Sequence, residues 1–263
     1  MYLEGQEEIK KLIDNGKLDN SNFIIIKGPR SYGKTYLTKY IALHYGMNYI
    51  MLDNKVETIR NLVDSSRNNN NCLYHFKDFE KSSAAAKAAL LKIAEETPKG
   101  IKIVVTTSAY NLLNTLISRA YLLNIEPYTK DNIISFNNVL QLDNNLLSKI
   151  MDELNMVPTP SLLYTYKQRE DLNEILDLTI ETKNAISNGL RLEDISRISN
   201  KFWKDDKEKL EIYLHLLKTS INPTTPYYYV IINTIERTLY NLNTIAISNY
   251  RQLIHNMLME MIV

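Results

Sequence analysis

Gly28-Pro29-Arg30-Ser31-Tyr32-Gly33-Lys34-Thr35 sets two glycines, a lysine and a threonine at the spacing G-x-x-x-x-G-K-T. Those residue types in that order suit the holding of a phosphate chain. A wide, Gly-punctuated turn lets main-chain N–H groups point inward at phosphate oxygens. The lysine then reaches the β and γ phosphates, and the threonine hydroxyl is placed to ligate Mg²⁺. Gly28, Pro29, Arg30, Ser31, Tyr32, Gly33, Lys34 and Thr35 are therefore candidate nucleotide-binding residues, with ATP and Mg²⁺ as the expected ligands. The other reading is a chance match in an ordinary strand-to-helix turn.

The motif has this meaning only where a strand leads in and a helix leads out. The apolar run Phe23-Ile24-Ile25-Ile26 supplies the strand, and Tyr36 to Tyr45 continues at helical spacing. That helix turns its positive N-terminal end toward the same anion. Upstream, Glu7 to Asn15 is amphipathic. Downstream, Gly46 stands where a glycine ends a helix. Further strands are expected at Asn48–Leu52, Leu73–Phe76, Ile101–Thr107 and Ala120–Ile125. Helices are expected around Val56–Val63, from Ala84 to Glu96 with Pro98-Lys99-Gly100 as the stop, and over Asn111–Arg119; the polar tract Arg67 to Asn71 reads as a loop. Strands alternating with helices imply a parallel sheet covered on both faces.

From Tyr128 onward only helical patterns recur: Ile133–Leu140, Asn145–Leu154, Ser161–Tyr166, Leu172–Ile186, Leu192–Trp203, Lys207–Ile221 and Pro226–Val263, the last broken near Asn243. The 263 residues accommodate an α/β core and a second helical unit. Lysine and arginine total 31 against 30 aspartate and glutamate, so no general basic field draws nucleic acid to the chain; such contact would need a local patch or a larger assembly. Cys72 is the only cysteine, which excludes an internal disulfide and a cysteine-based zinc site. No apolar run approaches the ~20 residues of a membrane span, and a cytoplasmic setting is expected. The four histidines show no metal-ligand spacing.

Several segments together resemble the AAA+ clamp-loader subunits, in particular the delta-prime and gamma/tau subunits of bacterial DNA polymerase III. Ser83-Ala84-Ala85-Ala86-Lys87-Ala88-Ala89-Leu90-Leu91-Lys92-Ile93-Ala94-Glu95-Glu96-Thr97-Pro98 is similar to that family's A-x-N-A-L-L-K-x-L-E-E-P helix. Val104-Val105-Thr106-Thr107-Ser108 resembles its sensor-1 strand, Ser118-Arg119-Ala120 stands at its S-R-C motif, and Gly5-Gln6 matches its G-Q beside the adenine pocket. The helices at Lys207–Ile221 and Ile235–Met259 resemble the collar that joins subunits into a ring.

The resemblance implies an AAA+ α/β domain with a five-stranded parallel sheet over residues 1–127, a helical lid over 128–188 and an all-α collar over 189–263. It implies Arg119 as an arginine finger acting on a neighbouring subunit's ATP; a helix-terminal arginine complementing the dipole is the plainer alternative. Counting from Leu90-Leu91-Lys92 puts Lys77 where the family has its metal-holding aspartate and Asp78 where it has the catalytic glutamate. A one-residue bulge would bring Asp78 to Mg²⁺ beside Thr35. Asp78 and Glu80 are otherwise solvated charges at a strand end. Thr107 is placed for the γ-phosphate or its attacking water, or is a buried threonine closing a strand. Lys81, Ser82, Ser83 and Lys87 correspond to a helix start that faces duplex DNA in the family, or form a cap with a solvated face. The family's sensor-2 arginine falls near Ser161 and is missing.

The expected function is that of a subunit in a hetero-oligomeric sliding-clamp loader, binding ATP and working with the clamp and primer–template DNA. The alternatives are an AAA+ scaffold without hydrolysis and a helicase-loader-type AAA+ protein. The few basic residues in the last helices argue against an initiator's DNA-reading helix.

Overall fold

The central strands are short runs, largely apolar on both sides, as strands covered by helices on both faces are. The computed structural model describes residues 5–68, 71–95, 97, 100–108, 114–202, 206–245, 247 and 249–262. Glu96, Pro98, Lys99, Asn111 and Trp203, which figure in the expectations above, lie outside them. The chain divides into two units: Met1–Val139 with Thr159–Leu162, and Leu140–Pro158 with Leu163–Val263.

The first unit runs α1 (Glu7–Asp14), β1 (Phe23–Lys27), α2 (Lys34–His44), β2 (Asn48–Leu52), α3 (Val56–Asn68), β3 (Cys72–Phe76), α4 (Ala84–Glu95), β4 (Ile101–Thr107), α5 (Asn114–Ile117), β5 (Tyr121–Asn124) and α6 (Lys130–Leu140). The five strands are parallel in the order β2-β3-β4-β1-β5. Alternation along the strands sorts the core into two layers. Ile25, Tyr74, Phe76, Ile103 and Val105 meet Ile59 and Leu62 of α3 and Leu90 of α4. Ile24, Ile26, Leu73 and Val104 meet α1 and α2 through Ile9, Ile13, Leu37 and Ile41.

Local chemistry fixes the joints. Gly46 takes φ +61° after α2. Gly46 N–H bonds Leu43 O at 3.1 Å and Met47 N–H bonds Ala42 O at 2.8 Å, the paired closure that needs a left-handed residue. Lys102 is 5% exposed on the α2 side of β4. Its ammonium donates to Leu18 O at 2.6 Å and Ser21 O at 2.9 Å and lies 4.5 Å from the centre of the Tyr45 ring. It thereby anchors the loop that delivers the chain into β1, and burial pushes its pKa below the ordinary value.

Several boundaries differ from the sequence expectation. Helix α3 continues through Arg67 to Asn68. Strand β5 is confined to Tyr121–Asn124, with Ile125 N–H still bonding Lys27 O at 2.8 Å. The C-terminal helical stretch is two helices, α12 (Tyr228–Thr244) and α13 (Tyr250–Met259), the second capped by Asn249 Oδ1 accepting from Gln252 N–H at 2.9 Å.

The second unit contains α7 (Asn144–Ser148), which passes into a π-turn at Lys149–Glu153, most of α8 (Pro160–Lys167), α9 (Leu172–Ser187), α10 (Leu192–Ser199), α11 (Lys207–Ser220), α12 and α13. Arg169 ties α9 to α11, bonding Asp171 at 2.7 Å and Asp206 at 2.9 Å. The fully buried Tyr213 donates to Thr182 Oγ1 at 2.9 Å. No helix among the described residues is long and apolar enough to cross a membrane.

Candidate nucleotide-binding site

The loop from Gly28 to Gly33 joins the carboxyl end of β1 to α2, the position where open parallel sheets bind ligands. Gly28 N–H is held by Thr107 O at 3.1 Å, so the loop starts in register with the end of β4. A Cβ on Gly28 would lie 2.9 Å from Ile125 Cβ. Gly28→Ala is therefore expected to destabilise the fold by about 1–3 kcal/mol through overpacking, read as a lower urea midpoint. Ser31 and Gly33 both take positive φ, +65° and +79°. The amides of Lys34, Thr35 and Tyr36 precede the first helical bond, Leu37 N–H to Gly33 O at 2.8 Å, and Gly33 brings no side chain to cap them.

Lys34 is 7% exposed, and its ammonium lies inside the loop. It donates to Gly28 O at 2.7 Å and Pro29 O at 2.5 Å. An entering phosphate would replace bonds to neutral carbonyls with stronger charge-assisted ones. Burial lowers the pKa of Lys34. Asp78 and then Glu80 oppose that shift, while Arg30 and Lys77 add to it. The sheet thus gathers Arg30, Lys34, Lys77, Asp78 and Glu80 around one point.

Tyr128 was not marked by the sequence pattern, yet it completes the loop's surroundings. Its ring stacks on Tyr32 with centroids 5.4 Å apart. The same ring would lie 2.8 Å from a Cβ on Gly5, so Gly5 is the residue that lets it fit. Burial raises its pKa to about 12. Gln6 exchanges hydrogen bonds with the main chain of Glu126 at 2.9 and 3.1 Å, which occupies its side-chain amide.

After β3 the chain turns sharply. Asp78 has φ +51°, and its carboxylate lies 3.6 Å from Lys81 Nζ. Phe79 is fully buried, which turns Glu80 back toward β4. Glu80 Oε1 accepts the Ser108 hydroxyl at 2.6 Å; Glu80 Oε2 is buried and has no hydrogen-bond partner among the described residues. Burial disfavours the Glu80 charge, but hydrogen bonding led by Ser108 outweighs it and holds the carboxyl below its ordinary value. Thr107 is fully buried at the end of β4.

As a set for Mg²⁺ these residues fit poorly. The donors in place are one hydroxyl, Thr35, and two carboxylates, Asp78 already beside Lys81 and Glu80 already accepting from Ser108. A lysine follows β3 where a hard cation needs oxygen.

Ser83 Oγ accepts Ala86 N–H at 3.1 Å as the cap of α4, and Lys87 Nζ donates to Glu80 O at 3.2 Å. The candidate DNA residues Lys81, Ser83 and Lys87 therefore all make local contacts, and Ser82 Oγ is buried without a partner among the described residues. Arg119 sits elsewhere. It precedes β5, at the amino end of the sheet, beside Asn22, Phe23 and Tyr121. Its guanidinium bonds Glu95 at 2.8 Å and Thr115 O at 2.9 Å. The length of β1, roughly 16 Å, separates that end from the phosphate loop.

Residues 10–129 match the model of a family described as DNA polymerase III, delta subunit. Among solved structures, a DNA polymerase III gamma subunit-related protein from Thermotoga maritima aligns over 97% of this chain and 97% of its own, with a TM-score of 0.51 and 16% identity. The Holliday junction branch migration motor RuvB of Thermotoga maritima aligns over 83% of each chain, with a TM-score of 0.51 and 18% identity. No curated protein matches the chain. The first unit therefore carries a match to the DNA polymerase III delta subunit family over residues 10–129, and the chain shares the fold of the gamma subunit-related protein.

Proposed function

We propose that the chain binds ATP at Gly28–Thr35 and serves in a sliding-clamp loader of DNA replication, giving Arg119 to the nucleotide site of a neighbouring subunit. The observation that carries this reading is the placement of the two features at opposite ends of one sheet. Arg119 lies too far from the loop of its own chain to touch the same nucleotide, so a role on phosphate requires a second subunit. Residues 128–188 then act as lid and 189–263 as the collar that assembles the oligomer. The exposed Tyr229, Tyr240 and Ile245 of the collar supply apolar surface for neighbouring subunits. Lys81, Ser83 and Lys87 face primer–template DNA through the start of α4, without reading bases, while the buried Ser82 hydroxyl is withdrawn from that contact.

Hydrolysis at this chain's own loop is weak in this reading. Asp78 or Glu80 would have to orient water, Thr107 would line the γ-phosphate, and Thr35 and Asp78 would have to hold any Mg²⁺ beside the Lys81 ammonium. The same features favour a second reading, a scaffold subunit that binds nucleotide without turning it over.

Calorimetric titration of the full chain with ATP tests the proposal. Binding is expected, and Lys34→Ala should weaken it by about thirtyfold, the loss of one charge-assisted contact to phosphate. A chain that takes up no ATP would remove the reading.

A further inference from the structure

Strand parity gives Lys77 a definite side. Along β3, Tyr74 and Phe76 pack with α3 and α4, whereas Leu73 packs with α2 and His75 reaches Thr106 Oγ1 at 3.0 Å. Lys77 follows β3 directly as an exposed residue of the turn, and continuing the alternation by one step places it on the α2 side. Its carbonyl is held by Asn54 Nδ2 at 2.8 Å, which fixes the backbone there. β3 is separated from β1 only by β4, so Lys77 emerges about two strand spacings, roughly 10 Å, from the start of the phosphate loop. A lysine side chain spans much of that distance.

The charge count around the loop is then unusual. Arg30, Lys34 and Lys77 face Asp78 and Glu80, three cations against two carboxylates. A carboxylate at position 77 would leave two cations against three. The exchange moves the site by two positive charges, which is the charge a bound Mg²⁺ would contribute. We infer that this loop takes its nucleoside triphosphate without a divalent cation, the ammonium of Lys77 standing against the phosphate oxygens that Mg²⁺ would otherwise neutralise. The inference rests on the nucleotide-binding reading above and names the form of ligand: unchelated triphosphate rather than its magnesium complex. A small point charge on a flexible stem suits this task, since it needs no fixed coordination geometry.

The experiment is titration of the full chain with ATP in excess EDTA and, separately, in excess magnesium chloride. Wild type is expected to bind in EDTA with an affinity within about threefold of that in magnesium. Lys77→Asp should lose binding in EDTA by at least about tenfold and regain it when magnesium is added, since the carboxylate restores a ligand for the metal. Lys77→Met should lose binding in EDTA and regain little with magnesium. Circular dichroism and thermal melting establish that each variant is folded, and the wild-type pair of titrations decides alone if a variant is not. Wild-type binding that appears only with magnesium would overturn this inference and leave the nucleotide-binding reading standing. No binding under either condition would overturn both.

Discussion

Arg119→Ala is expected to lower ATP turnover at the neighbouring subunit's site about a thousandfold, while this chain's own affinity for ATP stays unchanged. The magnitude is that of removing an arginine that meets charge on a transferring phosphoryl group. The structure explains why the two readouts separate. Arg119 lies at the amino end of β5, and the candidate phosphate loop lies at the carboxyl end of β1. In the chain by itself the guanidinium rests on Glu95 and the Thr115 carbonyl, an exposed arrangement worth at most about 1 kcal/mol. The variant should therefore melt within a degree or two of wild type. Unchanged turnover, with the oligomer intact by mass measurement, would show that Arg119 only completes a helix end and would favour the scaffold reading.

Acid is expected to weaken the first unit well before its carboxylates protonate. His75 is fully buried in the middle of the sheet, between the Tyr49 hydroxyl at 2.7 Å on Nδ1 and Thr106 Oγ1 at 3.0 Å on Nε2. Burial lowers its pKa to about 4, helped by the positive charges of Lys77 and Lys39 and opposed by Asp78. The unfolded chain binds the histidine proton near pH 6.5, and the folded chain resists it until about pH 4. Between those values the unfolded state holds more protons, so stability falls as pH falls. The loss reaches about 3 kcal/mol once pH passes the folded value. Urea unfolding at closely spaced pH values measures it. His75→Gln keeps a polar group in the chain of hydrogen bonds and cannot titrate, so its stability should be nearly flat over the same window. Equal slopes for the two proteins would exclude His75 as the source.

Much of this site could be read before any coordinates. The G-x-x-x-x-G-K-T spacing, the apolar strand before it and the helix after it locate the loop, since backbone conformation there depends on glycine at fixed positions. Gly46 ends α2 for an equally local reason. What the sequence pattern could not show depended on long-range contacts. Tyr128 follows β5 with no periodic signal, and only the parallel pairing of β5 with β1 brings its ring onto Tyr32. Lys102 reads as an ordinary charge inside a strand until three carbonyls of the 18–21 loop are seen around its ammonium. Asp78 and Glu80 read alike as charges at a strand end; the buried Phe79 between them sets them apart, because it points Glu80 at Ser108. The division of helices after Ile245 was legible only in part, since Asn243 marks the region but Asn249 provides the cap.

If the Gly28–Thr35 loop receives a nucleotide and Arg119 is given to a neighbour as proposed, a sheet with the receiver at one end and the donor at the other is directional. Two copies, or two relatives, facing each other across a two-fold axis could never match pocket to donor on both sides at once. Only front-to-back stacking does so, and such stacking leaves one unmatched end on every finite open array. The member at that end would hold a nucleotide no neighbour can act on, or offer an arginine no neighbour receives, and a chain poorly equipped to hydrolyse its own nucleotide is suited to occupy it.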